Sequence, residues 1–158
     1  MLQDLLFFLL FSKLLSMNTI NKKKKEEKVP RILIITPVAS LRNSLASRLK
    51  MRNFVADTAG DAFQSLSILE KNEYDFAVIH SEIQDMGPFE LAMLIKRPTM
   101  VAEQEIPPTI RCFILDEKID PENPLDHPEG ASHENVDAVV TKENNYLELF
   151  NAISKFHR

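Results

Sequence analysis

His80 closes a short apolar run, Ala77–Ile79, that stands behind Asp75 and Phe76 and gives way to Ser81 and Glu82. An imidazole at the tip of such a run can take a proton, ligate a metal or attack a phosphoryl group. It can equally be a polar residue that caps a strand and does no chemistry. His127 and His133 lie among Asp126, Glu129 and Glu134, a residue set that binds zinc in other contexts, but the spacing matches no zinc template and the segment reads as a loop. Ser81 lacks the glycines of a nucleophile elbow and has no assignable base and acid partners. The chain holds only three glycines and no glycine-rich phosphate cradle, which speaks against nucleotide binding. The expectation is therefore a protein that is not an enzyme and carries no metal and no cofactor.

The elements that must position His80 follow a regular rhythm. Ile32–Ile35 is a continuous run of branched apolar residues ended by Thr36 and Pro37, as in a central parallel strand. A helix is expected from Ser40 as its N-cap, with Leu41, Leu45, Ala46 and Leu49 on one face. Phe54–Thr58 reads as a second strand. Gly60 turns the chain and Asp61 caps a helix whose Ala62, Leu66 and Leu69 face inward. The strand Tyr74–His80 follows, then a helix opened by Gly87 and Pro88 and ended by Pro98. A loop with Pro107 and Pro108 leads to a fourth strand, Ile110–Leu115. Asp137–Thr141 is the fifth, and Tyr146, Leu149, Phe150 and Ile153 mark a closing helix. Alternation of this kind predicts an α/β fold with a five-stranded parallel sheet and helices on both faces. Between Asp116 and Val136 the rhythm breaks. Pro121, Pro124, Pro128 and Gly130 stand where a fourth helix is due, so that helix is expected to be lost or shortened.

Residues 1–30 read as an apolar segment and a charged linker ahead of a domain at 31–158. MLQDLLFFLLFSKLLS is rich in Leu and Phe, but its unbroken apolar run, Leu5–Phe11, is too short to span a bilayer, which takes about 20 residues. Three readings stay open: an extension upstream of a true start at Met17, an interfacial membrane anchor assisted by Lys22–Lys25, or a helix that packs on a partner. A net charge of -4 gives no general attraction to nucleic acid, so none is expected as a direct partner. The single cysteine, Cys112, lies in an apolar run and reads as a buried core thiol in a reducing compartment, which suits a cytoplasmic protein, with membrane association as the alternative.

Three stretches in this order, RILIITPVASLRNSLASRL, AGDAFQSLSILEKNEYDFAVI and VDAVVTKENNYLELFNAI, resemble the receiver domain of two-component response regulators over about residues 31–157. The resemblance implies a flavodoxin-like, CheY-like fold. It also implies positions for a phosphoryl-transfer site: an acidic pair after the first strand that helps hold Mg²⁺, an acceptor aspartate at the tip of the third, a Thr or Ser after the fourth and a lysine after the fifth. Here the acidic pair falls at Thr36 and Pro37, the acceptor at His80 and the hydroxyl position at Asp116. Lys142 alone matches, followed by Glu143 where the family usually has proline.

Mg²⁺ demands oxygen ligands and phosphoryl transfer relies on cation stabilisation, so these departures imply a pseudo-receiver without phosphorylation. Lys142 is then expected to pair with Asp116. Asp85, five residues past the strand tip, lies too far along the loop to replace a lost carboxylate. The function implied is a phosphorylation-independent protein–protein interaction module in signal transduction or regulation, with a regulatory or signalling protein, or a second copy in a homodimer, as partner. With no further domain after Arg158, output would pass through association. The competing reading is a small-ligand or redox sensor that uses the crevice at His80, Thr36 and Asp116, the edge at which open α/β sheets bind ligands.

Overall fold

The computed structural model describes residues 2–20, 28–116, 133–141 and 146–157. A helix, α1 (Leu2–Ile20), is followed by β1 (Arg31–Ile35), α2 (Ala39–Lys50), β2 (Val55–Ala59), α3 (Ala62–Leu69), β3 (Phe76–His80) and α4 (Pro88–Ile95). Then come β4 (Thr99–Val101), β5 (Gln104–Ile106), β6 (Arg111–Asp116), a 3₁₀ turn at His133–Asn135, β7 (Ala138–Thr141) and α5 (Leu147–Phe156). Five strands form one parallel sheet in the order β2-β1-β3-β6-β7, the doubly wound arrangement expected from the alternating pattern.

Side chains on a strand alternate between faces, so each apolar run feeds two cores. Ile32, Ile34, Phe76, Val78, Phe113 and Leu115 point to the side covered by Leu41, Leu45 and Leu49 of α2 and Leu149, Phe150 and Ile153 of α5. Leu33, Ile35, Ala77, Ile79, Cys112 and Ile114 point to the other, under Ala62 of α3 and Leu91 and Ala92 of α4. This two-sided burial is why the strands read as continuous apolar runs rather than alternating ones.

Several boundaries differ from the sequence-based expectations for physical reasons. The α2 helix begins at Ala39 with Val38 at the N-cap, and Ser40 does not cap it. The hydroxyl that serves this turn is that of Thr36, which accepts a hydrogen bond from the Val38 N–H at 3.2 Å. Asp61 caps α3 as expected, through the Gln64 N–H at 2.7 Å. The α1 helix continues to Ile20, into the stretch read as linker. The loop expected after Pro98 contains an antiparallel hairpin, β4–β5, whose two turn residues, Ala102 and Glu103, have φ of 49° and 65°. Neither is the glycine or asparagine that usually signals a left-handed turn. The expectation of a lost or shortened fourth helix concerns the stretch between Asp116 and Val136, of which residues 117–132 lie outside the described residues and His133–Asn135 form the 3₁₀ turn.

Candidate functional site

The sheet's C-terminal edge is formed by the last residues of β1, β3 and β6, adjacent strands whose ends meet at one level. Thr36 leaves β1, and its N–H donates to the Ala59 carbonyl at 3.1 Å, carrying the β1–β2 ladder one residue further. His80 ends β3 opposite Leu115, and the Ser81 N–H donates to the Leu115 carbonyl at 2.9 Å. Asp116 ends β6 opposite Thr141 of β7. Thr36, His80 and Asp116 are all buried, at 1%, 2% and 4% exposure. The three residues named from the sequence are thus brought to one edge, while Pro37 is exposed beside them. Lys142, and with it the expected pairing to Asp116, lies outside the described residues, as does His127.

Thr36 Oγ1 and His80 Nδ1 are 3.1 Å apart, a buried hydrogen bond between residues 44 positions apart in the chain. The same hydroxyl oxygen accepts from Val38, and the Thr36 carbonyl accepts from Arg42 Nη1 at 2.7 Å, so Thr36 ties the first strand, the start of α2 and the third strand together. This is a polar lock between two strand ends, with either the hydroxyl or Nδ1–H as donor according to the imidazole tautomer.

Two open clefts flank the lock. One, of about 440 Å³, is lined by Val38, Ser40, Leu41, Ser44, His80, Glu82 and Tyr146. The other, of about 500 Å³, is lined by Ser81, Glu82, Gln84 and Asp116. Glu82 and Tyr146 were missed as crevice residues. Glu82 belongs to a loop whose path is set only by the fold, and Tyr146 was read simply as a member of the last helix. It is the N-cap of α5, in a left-handed conformation with φ 61°, and it lines the first cleft. A further cleft of about 550 Å³ runs along the outer edge of β2, but its Arg31, Asp57 and Tyr74 are already bonded to one another. Arg31 Nη2 and the Tyr74 hydroxyl both donate to Asp57 Oδ2 at 2.9 Å. The clefts at the strand C-termini are therefore the better site, in keeping with where open α/β sheets bind.

Asp85 has left the crevice altogether. Its two carboxylate oxygens accept from the N–H groups of Ala62 at 3.1 Å and Phe63 at 3.0 Å, which fastens the loop after β3 to the start of α3. Burial pushes its pKa up, yet these backbone bonds outweigh that and hold it below the ordinary carboxylate value.

The receiver-like arrangement would imply Mg²⁺, and the donor set does not fit it. Of the residues lining the two clefts, only Glu82 and Asp116 carry carboxylates. After β1 stand a hydroxyl already bonded on two sides and a proline. Mg²⁺ takes near-octahedral oxygen coordination, and an imidazole at the central position is a poor ligand for it. No group of three or more metal-ligating side chains occurs among the described residues.

Cys112 sits in β6, buried, and burial pushes its thiol up to about 12. A thiol so far from ionisation is a core residue and not a reactive one.

No family model matches the sequence, and no curated protein matches it. Among solved structures, the chain is similar to a CheY-like receiver domain from Methylobacillus flagellatus at TM-score 0.65 and 16% identity, covering 82% of this chain and 99% of that one. It is also similar to a CheY-like receiver domain protein from Methanospirillum hungatei at TM-score 0.65 and 18% identity, covering 82% and 94%. A third is the response regulator TrrA from Thermotoga maritima in complex with the histidine kinase ThkA, at TM-score 0.64 and 19% identity, covering 80% and 97%. At these identities the likeness is one of fold. The chain has the CheY-like, flavodoxin-like fold.

Proposed function

We propose that this chain is a protein-binding module of a regulatory or signalling assembly, and that it works without phosphoryl transfer or any other catalysis at the sheet edge. The observation that carries the reading is the buried bond between Thr36 and His80. It occupies, with a neutral hydroxyl and an imidazole, the place where receivers hold a metal and an acceptor carboxylate. Charge development in phosphoryl transfer needs a cation close by, and this donor set offers no seat for one. What supports a signalling context is the fold, together with the histidine-kinase complex of a fold neighbour.

The binding face in this reading is the edge strand β7 and the adjoining α5, where Leu147 and Phe156 are exposed. Its partner is a regulatory or signalling protein, with a second copy of the chain as the alternative occupant. The lone thiol suits the reducing cytoplasm.

The test pairs two measurements on the full chain. Incubation with Mg²⁺ and a labelled acyl phosphate is expected to leave no label on the protein, and Mg²⁺-dependent incorporation would sink the proposal. Affinity capture from source cells is expected to retain a protein that Leu147→Glu releases while the fold, followed by circular dichroism, is unchanged. A chain that retains no protein but carries a small molecule in native mass spectrometry, lost on Glu82→Ala, would favour a ligand sensor instead.

A further inference from the structure

Among the described residues, the longest run of exposed large apolar side chains lies on α1. Leu2, Leu5, Leu6, Phe7, Phe8, Leu9, Leu10, Phe11, Leu14 and Leu15 are each between 54% and 79% exposed, and none belongs to either core of the sheet. Scattered apolar side chains on a surface need no explanation, but a continuous helix of them does.

The arrangement around the helix narrows what can cover it. Seven consecutive residues, Leu5–Phe11, are apolar, and at 3.6 residues per turn they cover every side of about two turns. The polar residues Gln3, Asp4, Ser12 and Lys13 fall at the two ends of that stretch and build no polar face. A second copy of α1 in a coiled coil would cover one seam, for example Phe7, Leu10 and Leu14, and leave Leu5, Phe8, Leu9 and Phe11 in water. A groove on another protein has the same shortcoming. A helix that is apolar all round is satisfied by an apolar medium on all sides.

The length and charge of the segment specify that medium further. Leu2–Leu15 rises about 21 Å, short of the roughly 30 Å of a bilayer's hydrocarbon core. Among the described residues no helix is long and apolar enough to cross a membrane. Lys13 follows the apolar stretch on the helix, and the sequence beyond it carries Lys22–Lys25, the basic charge that anionic headgroups attract.

We propose that α1 inserts its apolar stretch into one leaflet of an anionic lipid bilayer and tethers the receiver-like domain to that surface. The proposal is independent of what the sheet edge binds.

The test is flotation of the full chain with vesicles of phosphatidylcholine alone and of equimolar phosphatidylcholine and phosphatidylglycerol. The expected result is co-flotation with the anionic vesicles, reduced at least tenfold in partition by the double substitution Phe8→Glu and Leu9→Glu. Replacement of Lys22–Lys25 by glutamine should weaken it by roughly fivefold for each lysine, and added salt should act the same way. Because Phe8 and Leu9 are exposed and belong to neither core, the urea midpoint of the double variant should match that of the unaltered chain. Flotation with neither vesicle, or equal flotation of the double variant, overturns the proposal. So does a self-associated species in sedimentation velocity that persists with vesicles present and that the double substitution returns to monomer, since a second copy would then cover α1.

Discussion

Thr36 Oγ1 stands 3.1 Å from His80 Nδ1, and through that one buried bond the ends of β1 and β3 are joined at the centre of the sheet's C-terminal edge. The bond has a measurable energetic consequence. Thr36→Val keeps the shape and removes both the partner of the imidazole and the acceptor of the Val38 N–H. Loss of buried hydrogen bonds of this kind costs about 1–3 kcal/mol. Urea unfolding should show a lower midpoint with an unchanged slope, the shift multiplied by the slope giving that loss, whereas Pro37→Ala, at an exposed position, should change the midpoint little.

Restoring one carboxylate should not restore phosphoryl chemistry. His80→Asp supplies an acceptor but leaves Thr36 and Pro37 without the acids that would help to seat Mg²⁺. Labelling of His80→Asp by an acyl phosphate in Mg²⁺ is expected at the background of the unaltered chain. A clear rise would mean that Glu82 and Asp116 suffice to hold the metal.

At the opposite edge of the sheet, Asp137 fastens α4 and β6 to the start of β7. Its carboxylate accepts from Lys96 Nζ at 2.5 Å, Arg111 Nη1 at 2.9 Å and the Cys112 N–H at 2.8 Å. The side chains of Asp137 and Lys96 are only 9% and 15% exposed. Asp137→Ala strands a nearly buried cation and should destabilise the protein by about 3 kcal/mol or more, with Asp137→Asn losing less because it can still accept from Cys112.

The same residue sets an acid limit. Burial raises the Asp137 pKa, but the Lys96, Cys112 and Arg111 donors outweigh it, and the net position is below the ordinary value of 3.8. A depressed folded pKa gives stability that is present above the unfolded pKa and is lost as pH falls through the folded one. Unfolding midpoints of the unaltered chain should therefore drop below about pH 4, and Asp137→Asn should show a shallower drop over that range.

Tyr74 predicts an alkaline counterpart. Burial first, then its hydrogen bond to Asp57, pushes the phenol up to about 12. The folded state favours the protonated phenol, so its contribution is full below the unfolded value near 10 and fades as pH rises through about 12. Spectrophotometric titration of phenolate should show a late-ionising component that is absent in Tyr74→Phe.

Cys112 should be silent in the folded protein. With its thiol pushed up to about 12 inside the sheet, labelling by a disulfide reagent at neutral pH should proceed only as fast as the protein opens, and urea should accelerate it. Rapid labelling of the native chain would show that β6 is more accessible than its burial indicates.

Much of this was legible along the chain because it depends on near neighbours. The apolar runs at Ile32–Ile35 and Ala77–Ile79 locate central strands, the Leu41, Leu45 and Leu49 spacing locates a helix face, and Asp61 is identifiable as a cap three residues before the N–H it serves. These are periodicities and local bonds, fixed by backbone geometry. The β4–β5 hairpin escaped because Ala102 and Glu103 adopt left-handed turns without the residues that announce them. Ser40 was misread as a cap because a serine near a helix start satisfies the pattern, and the hydroxyl that the fold uses comes from Thr36.

The sequence by itself determined the alternation of strands and helices, and the chemical character of each strand tip: a hydroxyl, an imidazole and a carboxylate at Thr36, His80 and Asp116. Only the tertiary structure decided what those groups do. The Thr36–His80 bond, the Asp85 grip on α3 and the Asp137 clamp join residues separated by 44, 22 to 23 and 25 to 41 positions. Such bonds depend on which strands lie side by side and where each one stops. That is set by the packing of the whole sheet against its helices and not by any local run of residues.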